Sequence, residues 1–478
     1  MAHALTATLR DHAPDLLTLD GIDLAPALEQ QLFFAVRDGG PPAGGTGARL
    51  RGAAVAAGRA SAAAGAGLLP RQSIQVPAQP IVVLIRLPAR WHILRPIEAA
   101  LEAAGGESLV VLRVGRAADA ATSRPLTPRL QDVLETSAGL RSLRFLVRVE
   151  RGIAGGTRGW DAIVDRPLAR RLRAVARREL PRIALGATAL DAATRRWRPR
   201  LLVSFDEVGT WSRILPAVAR RHGVPTLNLP HAVATLSAAT AGADYDRFAV
   251  FGSRSAEVLR AAGIDSDRIV VTGAPYFDEL AKASAVEPLP ERRIVFAAQY
   301  IQGSITADRF EHYYLGAAAA AEAVAPSELV VLPHPVQPAG LVESVAARHP
   351  LPVEVTRRIA APGTLHAELP GAFALVTGSS NSVFEASLAG VPSILVDPRI
   401  TDPWTFAADG LGIGVADAAA TRAAARSLLD PAFRVAVLDR AKAALAKYLG
   451  PPDGAASDRT AHLILELAGP LREDPERA

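Results

Sequence analysis

The chain contains no cysteine. Disulfide scaffolds, thiolate zinc sites, iron–sulfur clusters and thiol nucleophiles are therefore excluded. Lysine is almost absent too: Lys282, Lys442 and Lys447 are the only three, so 50 of the 53 basic side chains are arginine. Aromatic residues make up 5% and none interleaves with a basic run, which argues against the stacking platforms of nucleic-acid binders. No run of 18 or more apolar residues occurs; the longest candidate, Ala53 to Leu69, is Ala/Gly-dominated and carries Arg59. Nothing in it reads as a membrane span. The start, Met1 to Thr6, lacks the basic and apolar pattern of a secretory leader, so the expected location is the cytoplasm.

What remains supports folded domains. The chain has 478 residues, 49% hydrophobic and 21% charged, enough for two large domains or three small ones at roughly 100–200 residues each. The net charge of +5 suits an anionic ligand, nucleic acid or an anionic membrane and selects none of them. With no thiols, chemistry falls to His, carboxylates, hydroxyls, backbone N–H groups and Arg.

The patterning divides the chain in three. Residues 1–79 hold one predicted helix, Leu24 to Val36, and then a Gly/Ala/Pro/Arg stretch from Asp38 to Gln79 that reads as a flexible segment, because it has too little apolar surface to offset its ordering entropy. Residues 80–285 begin with Ile81-Val82-Val83-Leu84-Ile85, a run of the kind a buried parallel strand shows. A helical stretch, Gly105-Gly106 and the strand at Leu109 complete a β-α-β unit, and the rhythm resumes at Leu201, Thr226, Phe248 and Ile269. Residues 286–478 carry a second block, with strands at Ile294, Leu329, Ala374 and Ser393 and a helical tail. Two such blocks with right-handed crossovers predict an α/β chain of two doubly wound, Rossmann-like domains facing across a cleft.

Four stretches carry candidate chemistry. In Thr377-Gly378-Ser379-Ser380-Asn381-Ser382, a strand gives way to a helix that stops at Gly390. Unpaired amides at a helix start hold phosphates, Gly378 permits close backbone approach, and the serines donate hydroxyl bonds. The competing reading is a capping box between Ser382 and Glu385. His334, between Pro333 and Pro335 after a strand, sits where open α/β sheets bind ligands, and reads as a phosphate contact or a packed histidine. His231, just past the strand at Thr226, reads as a general base or a satisfied loop histidine. Asp206 and Glu207 read as a base, as contacts to acceptor hydroxyls, or, for Asp206, as a helix cap.

Two further features are ambiguous. Asp244-Tyr245-Asp246 reads as a metal-binding pair or a turn. Arg166 to Arg182 forms a basic helix whose apolar stripe (Leu168, Leu172 and Val175) suits an anionic membrane surface or an outer, solvated helix.

This combination resembles the metal-independent GT-B glycosyltransferases, and in particular the bacterial surface-polysaccharide group of CDP-glycerol glycerophosphotransferases, capsule transferases and polysialyltransferase-like proteins. The likeness spans about residues 80–460, most clearly 198–400. It rests on Arg198-Pro199-Arg200 through His231, on Asp246-Arg247-Phe248 through Gly273-Ala274-Pro275, on Leu332 to Pro335, and on Gly378 to Pro392. The resemblance implies a nucleotide-activated sugar or glycerol donor, a glycan or polyol acceptor, and neither cofactor nor metal. It assigns the base to His231, the donor phosphates to His334, Ser379 and Ser380, and a ribose contact to Glu385. Where the group often has His-Gly, this chain has His231-Ala232, and Asp206-Glu207-Val208-Gly209 approximates the acidic motif of the polysialyltransferases, so Asp206 and Glu207 stand beside His231 as candidate bases. Two alternatives share the fold: an enzyme similar to UDP-N-acetylglucosamine 2-epimerase, and a non-catalytic scaffold.

Overall fold

The computed structural model describes residues 2–13, 16–19, 22–37, 76–85, 91–105, 109–113, 144–145, 147–149, 151–153, 155–205, 209–233, 243–282, 291–299, 306–334, 337, 340–397 and 405–471. The expected flexible segment lies outside them from 38 to 75, as do Asp206 and Glu207.

After a short antiparallel pair, β1 (Thr18–Leu19) and β2 (Ile22–Asp23), twelve strands form two parallel sheets. The first contains β3 (Ile81–Ile85), β4 (Leu109–Arg113), β5 (Leu201–Ser204), β6 (Thr226–Asn228), β7 (Arg247–Val250) and β8 (Ile269–Val271), in the order β4-β3-β5-β6-β7-β8. The second contains β9 (Arg293–Ala297), β10 (Ser327–Leu332), β11 (Val355–Ile359), β12 (Ala374–Thr377), β13 (Ser393–Val396) and β14 (Ile413–Val415), in the order β11-β10-β9-β12-β13-β14. All neighbours in both sheets pair in parallel. Central strands such as β3 and β12 are buried along their whole length, which is why they read as unbroken apolar runs.

Two strands escaped the sequence pattern. β11, Val355-Thr356-Arg357-Arg358-Ile359, lies at a sheet edge with four of five side chains exposed, and β14 is a three-residue edge strand. Edges carry polar residues because only one side is covered. The first helix, Ala2–His12, was likewise unmarked; it packs beside the helix Ala25–Arg37, and Leu5 and Leu9 enter the core. Trp160, fully buried, donates its indole N–H to the Leu5 carbonyl at 2.8 Å.

These helices account for the basic segment. Arg166–Trp197 is one long helix that packs on Ala25–Arg37 and on Trp211–His222. Leu172 is fully buried, and Leu168 and Val175 pack against the same core. The apolar stripe is therefore used within the fold, and the expectation that it meets a membrane gains no support. Among the described residues no helix is long and apolar enough to cross a membrane.

The lobes are joined in two ways. The last helix, Ala456–Ala468, packs on Trp91–Gly105 and places Ala461, Leu463 and Ile464 in the core beneath the first sheet, although it follows the whole second block. Its first turn is capped from outside: the buried Asp278 carboxylate accepts the amides of Ala456 (3.0 Å) and Ser457 (2.7 Å). The second joint is an apolar cluster in which Val233, Phe251 and Phe277 of the first lobe meet Val383, Phe384, Phe406 and Tyr448 of the second. Gly252 belongs to this seam, since a Cβ there would lie 2.4 Å from the Lys447 carbonyl.

Replacing Asp278 by Ala strands two helix-start amides in a buried setting. Asp278→Ala is expected to lower unfolding stability by about 2 kcal/mol and to raise amide exchange selectively in 456–460. Denaturant titration and hydrogen exchange check this; Asp278→Asn should recover part of the loss.

Candidate functional site

The order of strands in the second sheet reverses at β9: β10 and β11 extend to one side of it, β12 to β14 to the other. At such a reversal the crossing helices diverge and leave a crevice at the carboxyl ends of the strands. Gln299 follows β9, His334 follows β10, and Gly378 to Asn381 follow β12. β10 and β12 both pair with β9, so His334 and Ser379 extend from strands about 10 Å apart, on either side of Gln299.

Gln299 was not marked in the sequence; the only signal is a polar residue two places beyond an apolar strand. Its side-chain amide donates to the Ser379 carbonyl, and only the NH2 end of the amide can do so. This fixes Oε1 on the other side, against Gly378. A Cβ at residue 378 would lie 2.2 Å from that oxygen and 2.9 Å from the Tyr313 ring. Gly378 is thus needed to admit Gln299 and Tyr313, whereas the sequence suggested backbone approach to a ligand.

The capping box weighed against ligand binding does not form. The helix runs Ser382–Leu388 with Asn381 as its cap residue, and no side chain caps it from that position. Ser380 Oγ instead accepts from the Ser382 amide (3.3 Å) and the Ser382 hydroxyl (3.0 Å). The helix begins one residue earlier than a Ser382–Glu385 box requires, so Glu385 stands at the fourth helical position, past the third from which it would reach the cap. One of its oxygens faces His366 Nε2 at 3.8 Å, and this carboxylate raises the His366 pKa.

Among the described residues, the buried side-chain atoms without hydrogen-bond partners include Gln299 Oε1, both amide atoms of Gln337, Ser379 Oγ, Asn381 Oδ1 and Glu385 Oε2. Native chains leave few such groups, because each forfeits its hydration. These atoms lie on the loops after β9, β10 and β12 and in the helix Ser382–Leu388. His334 is half-buried, and burial holds its imidazole below the usual range, so it is neutral at pH 7 and carries one N–H donor.

His231 stands on the opposite lobe, three residues past β6. Two residues further, Val233 enters the apolar seam beside Val383 and Phe384 of the Ser382–Leu388 helix. The seam therefore brings the His231 loop up to the helix that follows Ser379 and Ser380. Asp206 and Glu207 follow β5, the neighbour of β6, and lie outside the described residues. The acidic pair near β7 is structural: Asp244 pairs with Arg220 and Arg268, and Asp246 accepts from the amide and hydroxyl of Thr226. Among the described residues no three His or carboxylate side chains cluster as metal ligands.

No family model matches the chain, and no curated protein matches its sequence. Solved structures do match. A Listeria monocytogenes protein assigned as a UDP-N-acetylglucosamine 2-epimerase superimposes with TM-score 0.50 at 15% identity, over 80% of this chain and 95% of its own. A second UDP-N-acetylglucosamine 2-epimerase gives 0.50 at 14%, over 81% and 96%. The wall teichoic acid polymerase TagF gives 0.47 at 10%, over 87% and 96%. At these identities the epimerase superpositions establish the fold: two Rossmann-like domains in the GT-B arrangement, as expected from the sequence.

Two outcomes test the site geometry. Gly378→Ala must displace Gln299 or Tyr313, so it is expected to cost about 1–3 kcal/mol in a denaturation experiment. His334, with its folded pKa below the unfolded value of 6.5, favours folding when neutral; that contribution is present above pH 6.5 and is lost as pH falls. Wild type should therefore lose more stability between pH 7.5 and 5.5 than His334→Gln, read as the shift in denaturation midpoint.

Proposed function

We propose that the chain is a metal-independent transferase that moves a sugar or glycerol-phosphate unit from a nucleotide-activated donor to a hydroxyl of a glycan or polyol acceptor, in the making of surface polysaccharide. The observation that carries this reading is the set of polar groups left unpartnered among the described residues on the loops after β9, β10 and β12, with Val233 of the His231 loop packed beside Val383 and Phe384 of the helix that follows them.

In this reading the donor's phosphates lie against the hydroxyls of Ser379 and Ser380, the amides of Gly378 to Ser382, and the neutral imidazole of His334. Glu385, with one oxygen near His366 and the other unpartnered, receives a ribose hydroxyl. The acceptor hydroxyl comes from the first lobe, where His231, Asp206 or Glu207 takes its proton. The new bond forms between that oxygen and the transferred group as the bond to the donor phosphate breaks, and the electron pair leaves with the nucleotide. Donors already aimed at those oxygens stabilise the departing charge without reorganising.

The fold match to two UDP-N-acetylglucosamine 2-epimerases favours a second reading, in which the same lobe holds a UDP-sugar and no acceptor is needed. Incubation with UDP-N-acetylglucosamine alone separates the two: an epimer or free sugar formed without acceptor supports the second reading and removes the first.

A panel of UDP, CDP, CMP, GDP and dTDP is expected to contain at least one ligand that raises the melting temperature, since binding to the folded state alone stabilises it. His334→Ala and Ser380→Ala should then weaken that nucleotide about 10-fold each by calorimetry. Unchanged affinity in both would refute this site, and no response to any nucleotide would leave the non-catalytic scaffold.

A further inference from the structure

The helix Ala307–Ala323 follows β9, the strand at which the strand order of the second sheet reverses. Its first turn therefore lies at the same end of the sheet as Gln299, His334 and Ser379. Thr306 caps it, the hydroxyl accepting the Arg309 amide at 3.3 Å. Four residues after Arg309, Tyr313 is fully buried with its ring against Gly378. Residues four apart share a helix face, and helical side chains lean toward the amino terminus. Arg309 thus occupies the Gly378 side of its helix, about 6 Å nearer the helix start than Tyr313 and so closer to the crevice mouth.

The condition of its guanidinium is the second observation. Arg309 Nη1 is buried without a hydrogen-bond partner, and the side chain forms no ion pair among the described residues. The side chain as a whole is only partly buried, so the guanidinium has one face covered and one open, and a covered N–H donor without an acceptor is uncommon in folded chains. A third observation points the same way: Ser379, only 7% exposed, holds an unpartnered Oγ beside Gly378.

We infer that Arg309 is a phosphate-binding residue of the crevice, its guanidinium pairing with the phosphate oxygens of the ligand. The inference rests on the nucleotide reading above and assigns that site its main positive charge, at a residue no sequence motif marked. The planar fork of arginine offers two parallel N–H donors to two phosphate oxygens. The partial positive charge of the 17-residue helix acts in the same direction. When the bond between the transferred group and the phosphate oxygen breaks, the electron pair stays on that oxygen, and the added negative charge is held beside Arg309.

Calorimetry on the full chain tests this with UDP, uridine and inorganic pyrophosphate, for wild type, Arg309→Lys and Arg309→Ala. Arg309→Ala should weaken UDP and pyrophosphate about 10- to 100-fold and leave uridine unchanged, with Arg309→Lys recovering part of the loss. The ligand-free melting temperature of Arg309→Ala should match that of wild type, because among the described residues the guanidinium forms no hydrogen bond or ion pair to lose. UDP affinity in Arg309→Ala within about threefold of wild type overturns the assignment. So does an equal loss for uridine, or a lower ligand-free melting temperature in both variants. If wild type binds pyrophosphate but none of the nucleotides, the nucleotide reading fails, while loss of pyrophosphate in Arg309→Ala still supports Arg309. A wild-type chain that binds neither overturns both.

Discussion

Everything at the crevice depends on the change of strand order at β9. A parallel sheet needs a crossover after every strand, and right-handed crossovers on opposite sides of one strand must diverge. At β9 they part, and three loops that are distant in sequence, at 299, 334 and 378–381, reach the same opening. No local preference of these loops would bring them together. The parallel ladders of β9 with β10 and β12 do so, with registers such as Leu332 opposite Ala297 and Val376 opposite Phe296.

That opening is supported from below by close packing. Gly378 has no side chain, so Tyr313 and Gln299 press against the turn, and Gln299 ties the Ser379 carbonyl. Behind the turn, Phe384 anchors the short helix in a cluster with Phe277, Phe406 and Tyr448. The same cluster holds Val233, two residues beyond His231. Displacement of the Ser382–Leu388 helix therefore disturbs the contact surface of the opposite lobe, and the two halves of the cleft are mechanically coupled. The return of the C-terminal helix to the first sheet, pinned by Asp278, constrains the lobes a second time.

The electrostatics of the crevice follow from burial. His334 is kept neutral by desolvation, and His366 is drawn toward its charged form by Glu385, so two histidines of one lobe respond to acid in opposite senses. With a helix of only seven residues after Ser380, the local dipole is small.

Much of this was legible in the chain. The continuous apolar runs at 81–85, 201–204 and 374–377 marked buried parallel strands, because side chains covered on both faces cannot alternate with polar ones. The loops bearing Gly, Ser and His fall, as read from the sequence, directly after such strands, at the carboxyl ends of the sheets. Tertiary structure alone decided the rest. Gln299 belongs to no local pattern; its place arises from packing against Gly378, which lies far along the chain. The edge strands β11 and β14 and the helix Ala2–His12 carry weak local signals because their burial comes from neighbours on one side only. The apolar stripe of the Arg166 helix was ambiguous in sequence for the same reason: hydrophobic spacing specifies that a face must be covered, and only the folded chain determines what covers it.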